Sequence, residues 1–360
     1  MHRRDFLRLA GLSTSGLVLP AAVTSAFAQS PADRWRTFEV TTRVEVLQPA
    51  GRTRVWLPTP LTVDTPYQKS LGSTFRAEGG EGKAMSDPAW GLGVVWAQWE
   101  EGAKPVLTMV SRFATRDIAV DLSRPGSVRG DRAELARYLE ATEYLPTDGI
   151  VRKTAMDITK GARDDVAKAR AIYDWICEST SRNPKTRGCG TGDIKYMLES
   201  GNLSGKCADL NALYVGLARA AGLPARDVYG IRVAKSAHGY KSLGAGTENI
   251  TKAQHCRAEV FLTGHGWVPV DPADVRKVIL EEPPGNLPMG DEKVVKARER
   301  LFGSWEMNWL AYNFAHDVDL PGATKGKVAF LMYPQCETAE GRLDCLDPDN
   351  FKYQITAREI

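Results

Sequence analysis

Hydrophobic and polar residues alternate in short runs along the first third of the chain. Between residues 36 and 122, β-branched and aromatic residues alternate or cluster in four segments, RTFEVTTRVEVL, TRVWLP, GVVWAQWE and PVLTMVSRFATRDIAVDL. Such patterns between Gly and Pro residues are typical of strands. We therefore predict a β-rich, sandwich-like domain over residues 33–122, followed by a polar linker in SRPGSVRGDR, residues 123–132.

After the linker, apolar residues recur every three to four positions instead of every second one. AELARYLEATEYL (133–145) and DDVAKARAIYDWICEST (164–180) each predict a helix. A third helix is predicted to begin near Cys207 and to stop at Gly222, with Pro224 beyond it. Its buried stripe is formed by Leu210, Leu213, Tyr214, Leu217 and Ala221.

Strand-like segments then follow one another to the C-terminus. DVYGIRVA, CRAEVFL and WVPVD predict strands, EEPPGNLP (281–288) predicts an extended loop, and MNWLAYNFAHDVDL, KVAFLMY and FKYQITA predict a mixed region. The predicted fold class is α+β. We expect a core over residues 134–278 and a C-terminal extension over 279–360 whose strands pack on that core.

Composition narrows the class of partner. The chain has 360 residues, of which 25% are charged and 43% hydrophobic, as in ordinary globular proteins. Its net charge is +3 with scattered Lys and Arg residues, so nucleic acid is not expected as a partner. No apolar run after the N-terminal region is long enough to span a bilayer, so stable membrane insertion is not expected either.

The first 28 residues have the pattern of an export signal. Arg3 and Arg4 precede a moderately apolar run that ends in small residues at Ala26 and Ala28. The arginine pair is typical of twin-arginine signals, and we expect cleavage after Ala28. An uncleaved anchor is the alternative, but Ser, Thr, Gly and Pro interrupt the run. The sequence therefore predicts a bacterial protein of the periplasm or the cell exterior.

An exported protein can form disulfides, and the chain has six cysteines. Cys336 and Cys345 flank the short loop of QCETAEGRLDC, which makes them the predicted disulfide pair. The pairing of Cys177, Cys189 and Cys256 stays open. No C-x-x-C spacing occurs, so a structural zinc site is not expected.

Cys207 stands in the first turn of the third predicted helix. Unpaired backbone N–H groups and the positive end of the helix dipole favour a thiolate there. Gly205 permits a close approach at the turn before it. Taken alone, such a cysteine is more often a small buried residue than a nucleophile.

A base and an orienting carboxylate are available further along the chain. His255 opens a predicted strand, and the chain turns back through Gly264 and Gly266 to Asp271. Such a hairpin can bring a carboxylate to an imidazole, as in a catalytic triad. A simple antiparallel register leaves Asp271 short of His255, so we expect a bulge or an asymmetric turn. The alternatives are a satisfied strand histidine and an Asp that merely starts a turn.

Together these residues form a recognisable set of motifs. G-x-C-x-D contains Cys207, R-x-x-G-x-P-A-R begins at Arg219, H-x-x-x-E-V begins at His255, and G-W-V-P-V-D-P begins at Gly266. Their order and spacing resemble those of the transglutaminase-like superfamily, over about residues 134–278. The resemblance implies a papain-like core with Cys207 as nucleophile, His255 as general base and acid, and Asp271 as orienting carboxylate.

Two positions depart from the family pattern. Members often carry tryptophan two residues after the histidine, where this chain has Arg257. The tryptophan that stabilises the oxyanion in eukaryotic members has no clear match upstream of the cysteine. We expect the Cys207 N–H to be one oxyanion donor and consider Asn202 as a second.

For the other polar and aromatic residues of the region, structural roles are expected before catalytic ones. Asp209 is expected to be a structural first-turn carboxylate that favours the helix dipole and contacts neighbouring backbone, and His265 to be exposed in a glycine turn. His316 could approach the site or pair at the surface. Aromatic residues at such spacing more often form core than an acyl-binding cleft, which applies to Trp267, Trp305 and Trp309.

The sequence thus predicts a cysteine enzyme that acts on a peptide, protein or cell-wall amide through a thioester. Water as acceptor gives a peptidase, amidase or deamidase, and an amine gives a transglutaminase. No cofactor or metal is expected. Two alternatives stay open: a noncatalytic scaffold that keeps the fold, and a metal held by Cys207, His255 and Cys256, which predicts stoichiometric zinc.

Overall fold

The computed structural model describes residues 34–360, so the predicted signal over residues 1–28 lies outside the described residues. The described helices are α1 (Arg132–Ala136), α2 (Gly149–Ile158), α3 (Asp165–Ser179), α4 (Ile194–Ser200), α5 (Cys207–Ala220), α6 (Pro272–Glu281) and α7 (Glu292–Arg300). The described strands are β1 (Arg36–Val46), β2 (Thr53–Pro58), β3 (Gln68–Glu78), β4 (Glu81–Asp87), β5 (Leu92–Trp99), β6 (Val106–Thr115), β7 (Ile118–Ala119), β8 (Ser181–Arg182), β9 (Ser204–Gly205), β10 (Ala225–Arg232), β11 (Gln254–Leu262), β12 (Gly266–Val270), β13 (Ser304–Trp305), β14 (Trp309–Asn313), β15 (Gln335–Glu337) and β16 (Phe351–Glu359). The predicted α+β class is confirmed, and none of these helices is both long and apolar enough to cross a membrane.

The N-terminal region contains two antiparallel sheets of four strands, in the orders β16-β1-β6-β3 and β15-β2-β5-β4. Apolar side chains from both sheets form one buried cluster, which includes Val44 and Leu107 from the first sheet and Val55 and Trp99 from the second. This packing confirms the predicted β-rich, sandwich-like region. Strands β3 and β4 were not predicted, because their residues are mostly exposed and show no apolar alternation.

The second region is built around helix α5. It packs against the sheet β12-β11-β10-β14 and is covered by α2, α3 and α6. All residues of α5 are buried, whereas the sequence pattern predicted one buried stripe. A helix that is buried all round fixes the position of its first residue closely. The predicted stop is confirmed, since Gly222 adopts a left-handed φ of +85°.

The predicted helix over residues 133–145 is wrong for most of its length. Helix α1 ends at Ala136, and the following backbone bonds to the core instead. The carbonyl of Tyr138 accepts from Ala225, and that of Glu140 accepts from the Arg219 guanidinium. Helices α2, α4, α6 and α7 were not predicted.

The C-terminal extension contributes to both regions. Strand β14 joins the core sheet beside β10, as expected of a strand that packs on the core. Strands β15 and β16 instead pair with β2 and β1 of the sandwich. The segment KVAFLMY, predicted as part of a mixed region, forms one isolated bridge, between Val328 and Val318. The two ends of the described chain therefore close the same pair of sheets.

Candidate active site

Cys207 is the first residue of α5, as the sequence predicted. Its N–H has no acceptor within the helix, and among residues 34–360 no other backbone carbonyl accepts from it. The side chain of Asp209 accepts from the backbone N–H groups of Thr191, Gly192 and Lys206, at 2.9, 3.0 and 2.9 Å. Asp209 thus holds the loop before α4 against the start of α5, in agreement with its predicted contacts to neighbouring backbone.

The close approach at Gly205 is made by this same carboxylate. A Cβ atom at Gly205 would lie 2.5 Å from an Asp209 oxygen, which no real side chain tolerates. The glycine therefore permits the tight entry of the chain into α5, which sets the direction of the thiol.

His255 and Asp271 come together without the bulge that the sequence seemed to require. Strands β11 and β12 pair regularly, with Ala258 opposite Val270. Asp271 follows β12 and continues that register opposite Arg257, so His255 is its diagonal neighbour on the same face. Diagonal neighbours are close enough for long side chains to touch. The His255 Nε2 lies 2.7 Å from the Asp271 Oδ2, and the predicted bulge is wrong.

The second oxygen of Asp271 is also held. Its Oδ1 accepts from the side-chain amide of Asn211, at 3.3 Å, and from the backbone N–H of Asp274, at 3.1 Å. Asn211 stands one turn after Cys207 on α5 and also donates to the carbonyl of Cys256, at 2.7 Å. The amide therefore ties the helix of Cys207 to the strand of His255 and to Asp271, which follows the adjacent strand.

Buried charges around the imidazole favour its protonated form. Burial and the Arg232 guanidinium lower the pKa of His255, but Asp274 and Asp271 raise it more, so the net pKa is raised. Burial also raises the pKa of Asp274, but the Arg232 guanidinium, bonded to it at 2.6 and 2.8 Å, holds that pKa well below its usual range. Burial and the neighbouring Asp274 raise the pKa of Asp271.

Two further thiols neighbour Cys207. The Cys256 Sγ donates to the Cys207 Sγ at 3.8 Å, and Cys189 also lines the cleft, where its thiol donates to the Gln254 carbonyl at 3.5 Å. Hydrogen bonds from Cys189 and Cys256 lower the pKa of Cys207 well below its usual value, and the His255 imidazole adds to this against the effect of burial.

The protons stay on the two neighbouring sulfurs. The hydrogen bond to Cys207 raises the pKa of Cys189, and burial raises the pKa of Cys256. One anionic sulfur with two S–H donors is therefore the favoured state of the three thiols.

Cys207 and His255 line one open cleft of about 670 Å³. The cleft is large enough for a peptide segment or a similar ligand. Because Nε2 of the imidazole is bonded to Asp271, Nδ1 is the ring nitrogen left for the thiol and the reacting groups. The structure therefore brings the predicted Cys207, His255 and Asp271 together.

Asn202 is not part of this cleft. It is exposed, and its side-chain carbonyl accepts from the Ser204 N–H at 3.2 Å and the Ser204 hydroxyl at 2.7 Å. The predicted oxyanion role of Asn202 therefore has no support in the geometry. The residue closes a turn before α5 instead.

The predicted disulfide between Cys336 and Cys345 is not formed in this structure, in which the six cysteines are free. Glu337 lies opposite Arg342, and the Leu343 N–H donates to the Cys336 carbonyl at 2.9 Å. This register places Leu343 opposite Cys336, so the two sulfurs are offset along the hairpin.

Arg257 and the tryptophans lie behind the triad. The buried guanidinium of Arg257 stacks over Trp309 and Trp305, 4.6 and 5.3 Å from the ring centroids, and its Nε lies 3.6 Å from the Asp271 Oδ2. Trp309 also donates to the His255 carbonyl at 2.9 Å. Arg257 thus offsets the charge of Asp271, and burial lowers its own pKa to about 10. These tryptophans are core residues, as predicted; Trp267 packs against Arg226 outside the cleft.

The other two histidines of interest are remote from the cleft. His316 pairs with Asp227 at 3.3 Å and lines a separate cavity of about 270 Å³. His265 is half-buried rather than exposed and contacts the Asp121 carbonyl at 3.1 Å. Neither imidazole can act on Cys207.

Sequence reasoning missed four residues that shape the site: Cys189, Asn211, Arg232 and Asp274. Asn211 had a local signal, because a residue four positions after Cys207 shares its helix face. Asp274 also had one, since it follows Asp271-Pro in a pattern typical of a helix start. Cys189 and Arg232 carried no such signal.

His255, Asp271 and Asp274 form the one group of metal-type ligands found within residues 34–360. Their donor atoms already bond to one another and to Arg232. The hydrogen-bonded ion pairs satisfy these oxygens, so the set fits a charge network rather than a metal cage.

A thiolate at the tip of a buried helix, facing an imidazole and carboxylate held on the adjacent sheet, is the arrangement of the papain-like, cysteine-dependent enzymes. Residues 152–272 match the core domain of the transglutaminase-like superfamily. The chain belongs to that superfamily, whose members are typically cysteine-dependent enzymes.

Full-length similarity extends beyond the core. An uncharacterised protein of Haemophilus influenzae is 32% identical over 366 residues, covering 95% of this chain and 98% of its own. The solved structure of a candidate cysteine protease from Cytophaga hutchinsonii shares the fold, with a TM-score of 0.54 at 15% identity, over 90% of this chain and 98% of the other. The periplasmic domain of TgpA from Pseudomonas aeruginosa is more distant, with a TM-score of 0.37 at 17% identity over 75% and 93%.

Proposed function

We propose that this protein is an exported bacterial enzyme that hydrolyses an amide bond of a peptide, protein or cell-wall substrate through a thioester on Cys207. The observation that carries the proposal is the joint placement of Cys207, His255 and the bonded Asp271 at one open cleft. Export rests on the predicted signal over residues 1–28.

The first half of the reaction forms the thioester. The Cys207 sulfur attacks the amide carbonyl carbon, and the carbonyl electrons move onto the oxygen. The free Cys207 N–H stabilises this oxyanion. His255 then delivers its proton to the leaving nitrogen, the carbon–nitrogen bond breaks, and the amine departs.

The second half releases the acid. Neutral His255 takes a proton from water, the resulting hydroxide attacks the thioester carbonyl, and the sulfur leaves as thiolate. Asp271 keeps the imidazole in the orientation that serves both halves and stabilises its charged form. A primary amine in place of that water would give transfer instead of hydrolysis.

Mass spectrometry in H₂¹⁸O tests the proposal. The purified protein is incubated with glutamine-containing peptides and cell-wall fragments, with and without a primary amine. We expect acid products that carry one ¹⁸O atom, and none with the Cys207→Ala protein. Amine-containing products would identify a transferase and overturn hydrolysis.

Alkylation separates the enzyme from a scaffold that merely keeps the fold. We expect rapid labelling of Cys207 by iodoacetamide at neutral pH and slow labelling in the His255→Ala protein. Equal, slow labelling of both proteins, or stoichiometric zinc in the purified protein, would contradict the proposed catalytic role.

A further inference from the structure

The lining of the active-site cleft is strongly asymmetric in charge. Six of its side chains are cationic: Arg182, Arg187, Lys206, Arg232, Lys252 and Lys277. No aspartate or glutamate of the described chain lines it. The protein as a whole has 47 basic and 44 acidic residues, so an even mixture would place about as many carboxylates as cations there.

Carboxylates behind the wall neutralise four of the six cations. Asp274 binds Arg232, Asp344 binds Arg187, and Glu281 binds both Arg182 and Lys277. Those carboxylates are held from outside the cleft. The four cationic residues thus line the cleft and their carboxylate partners do not.

Lys206 and Lys252 are different, because neither has a carboxylate within salt-bridge distance in residues 34–360. Lys206 is the residue before the nucleophile, and Lys252 stands in the loop that leads into β11, three residues before His255. Two lysines without a carboxylate partner therefore line the cleft from separate elements, one adjacent in sequence to Cys207 and one three residues before His255.

The remaining wall of the cleft is apolar. It is formed chiefly by Ile250, Tyr333, Leu346 and Phe351. A ligand that satisfies both walls needs an apolar body and at least one negative charge. Among amide substrates, that combination is found in a peptide with carboxylates beside the bond that is cut.

We propose that Lys206 and Lys252 form a carboxylate-binding subsite and that the substrates are acidic peptides. The inference rests on the proposed function for the reaction but specifies its substrate class. A cation close to a thiol also stabilises the thiolate, so the test must separate substrate recognition from thiolate stabilisation.

Matched peptides make that separation. Two peptides of one sequence carry either glutamate or glutamine on both sides of the scissile amide. We expect kcat/KM for the glutamate peptide to be about tenfold higher, to fall with added NaCl, and to fall about tenfold in the Lys252→Gln protein. The Lys252→Gln substitution should lower kcat/KM for the glutamine peptide much less, so the ratio of the two kcat/KM values measures carboxylate recognition separately from any effect on the thiolate.

A charge reversal and a surface control complete the kinetic test. The Lys252→Glu protein should prefer a peptide with lysine at the same positions, which a structural role for Lys252 does not predict. Lys153→Gln serves as the control, since Lys153 is 78% exposed on α2 and pairs with Asp157 outside the cleft. It should leave all three peptides unaffected.

Binding to the Cys207→Ala protein is measured separately by fluorescence anisotropy with the same labelled peptides. Tighter, salt-sensitive binding of the glutamate peptide supports the subsite even if no peptide is cleaved. The absence of cleavage would contradict only the proposed reaction. Equal cleavage and equal binding of the glutamate and glutamine peptides would overturn the subsite and leave the proposed hydrolase standing.

Discussion

Removal of the Cys256 thiol tests how the nucleophile is ionised. Cys256 donates to the Cys207 Sγ at 3.8 Å, and both sulfurs are buried. Replacement by alanine deletes this donor, so the pKa of Cys207 should rise. The deletion leaves the helix terminus and His255 in place, which isolates the contribution of one S–H group.

The expected size follows from the strength of the bond. A hydrogen bond to a charged group contributes about 1.5–3 kcal/mol, and a thiol is a weak donor, so we expect about 1 kcal/mol. That free energy corresponds to a roughly fivefold smaller thiolate population on the acid side of the titration. Above the titration the rate should rise slightly, because a more basic thiolate is a better nucleophile.

The assay is the rate of iodoacetamide alkylation of Cys207 as a function of pH, followed by mass spectrometry of the labelled peptide. Cys256→Ser restores an O–H donor and should recover most of the acid-side rate. Cys177→Ala is the control, since Cys177 is an equally buried thiol on α3 outside the cleft. Superimposable profiles for the native, Cys256→Ala and Cys189→Ala proteins would refute ionisation by neighbouring thiols.

Three further predictions concern the carboxylates. Asp271→Asn should lower kcat by about 10²- to 10⁴-fold with little change in peptide affinity, because the imidazole loses its orienting anion. Steady-state kinetics, corrected for the background rate of the Cys207→Ala protein, measure this decrease, and a smaller one would contradict the orienting role. Asp209→Ala leaves three backbone N–H groups without their acceptor and should cost about 3 kcal/mol of unfolding free energy in urea, and an unchanged midpoint would contradict its capping role. Against the effect of burial, pairing with Arg232 depresses the pKa of Asp274 in the folded protein. The stability from this pair is therefore fully present above the pKa of an aspartate in the unfolded chain, about 3.9, and is lost as the pH falls through the folded-state pKa. Thermal unfolding of Asp274→Asn should therefore depend less steeply on acid pH than that of the native protein, and parallel curves would count against the linkage.

The predicted site residues that the structure brings together were those marked by local patterns in the sequence. Cys207 was placed at a helix start by the apolar spacing after it and by the glycine before it, and helix α5 begins there. His255 and Asp271 were placed at the ends of two adjacent strands, and their side chains bond. The bulge expected between them is absent, because contact between diagonal side chains had not been considered.

Local patterns failed where bonding was decided by distant partners. The segment after α1 has a helical pattern, yet its carbonyls bond to Ala225 and Arg219 of the core. The segment FKYQITA was predicted only as part of a mixed region; it forms strand β16, whose partner β1 lies more than three hundred residues away in the sequence. Alternation specifies a buried face and says nothing about which strand pairs with it.

The sequence by itself therefore indicated part of the elements, among them the start of helix α5, the superfamily, and the three residues that we propose as the triad. Tertiary structure decided what surrounds them: the two thiols beside Cys207, the guanidinium of Arg232 behind the imidazole, and a cleft walled by cations. The physical reason is that a side chain's intrinsic chemistry and local spacing belong to the chain, whereas pKa shifts and charge fields depend on distances of a few ångströms between groups that folding brings together.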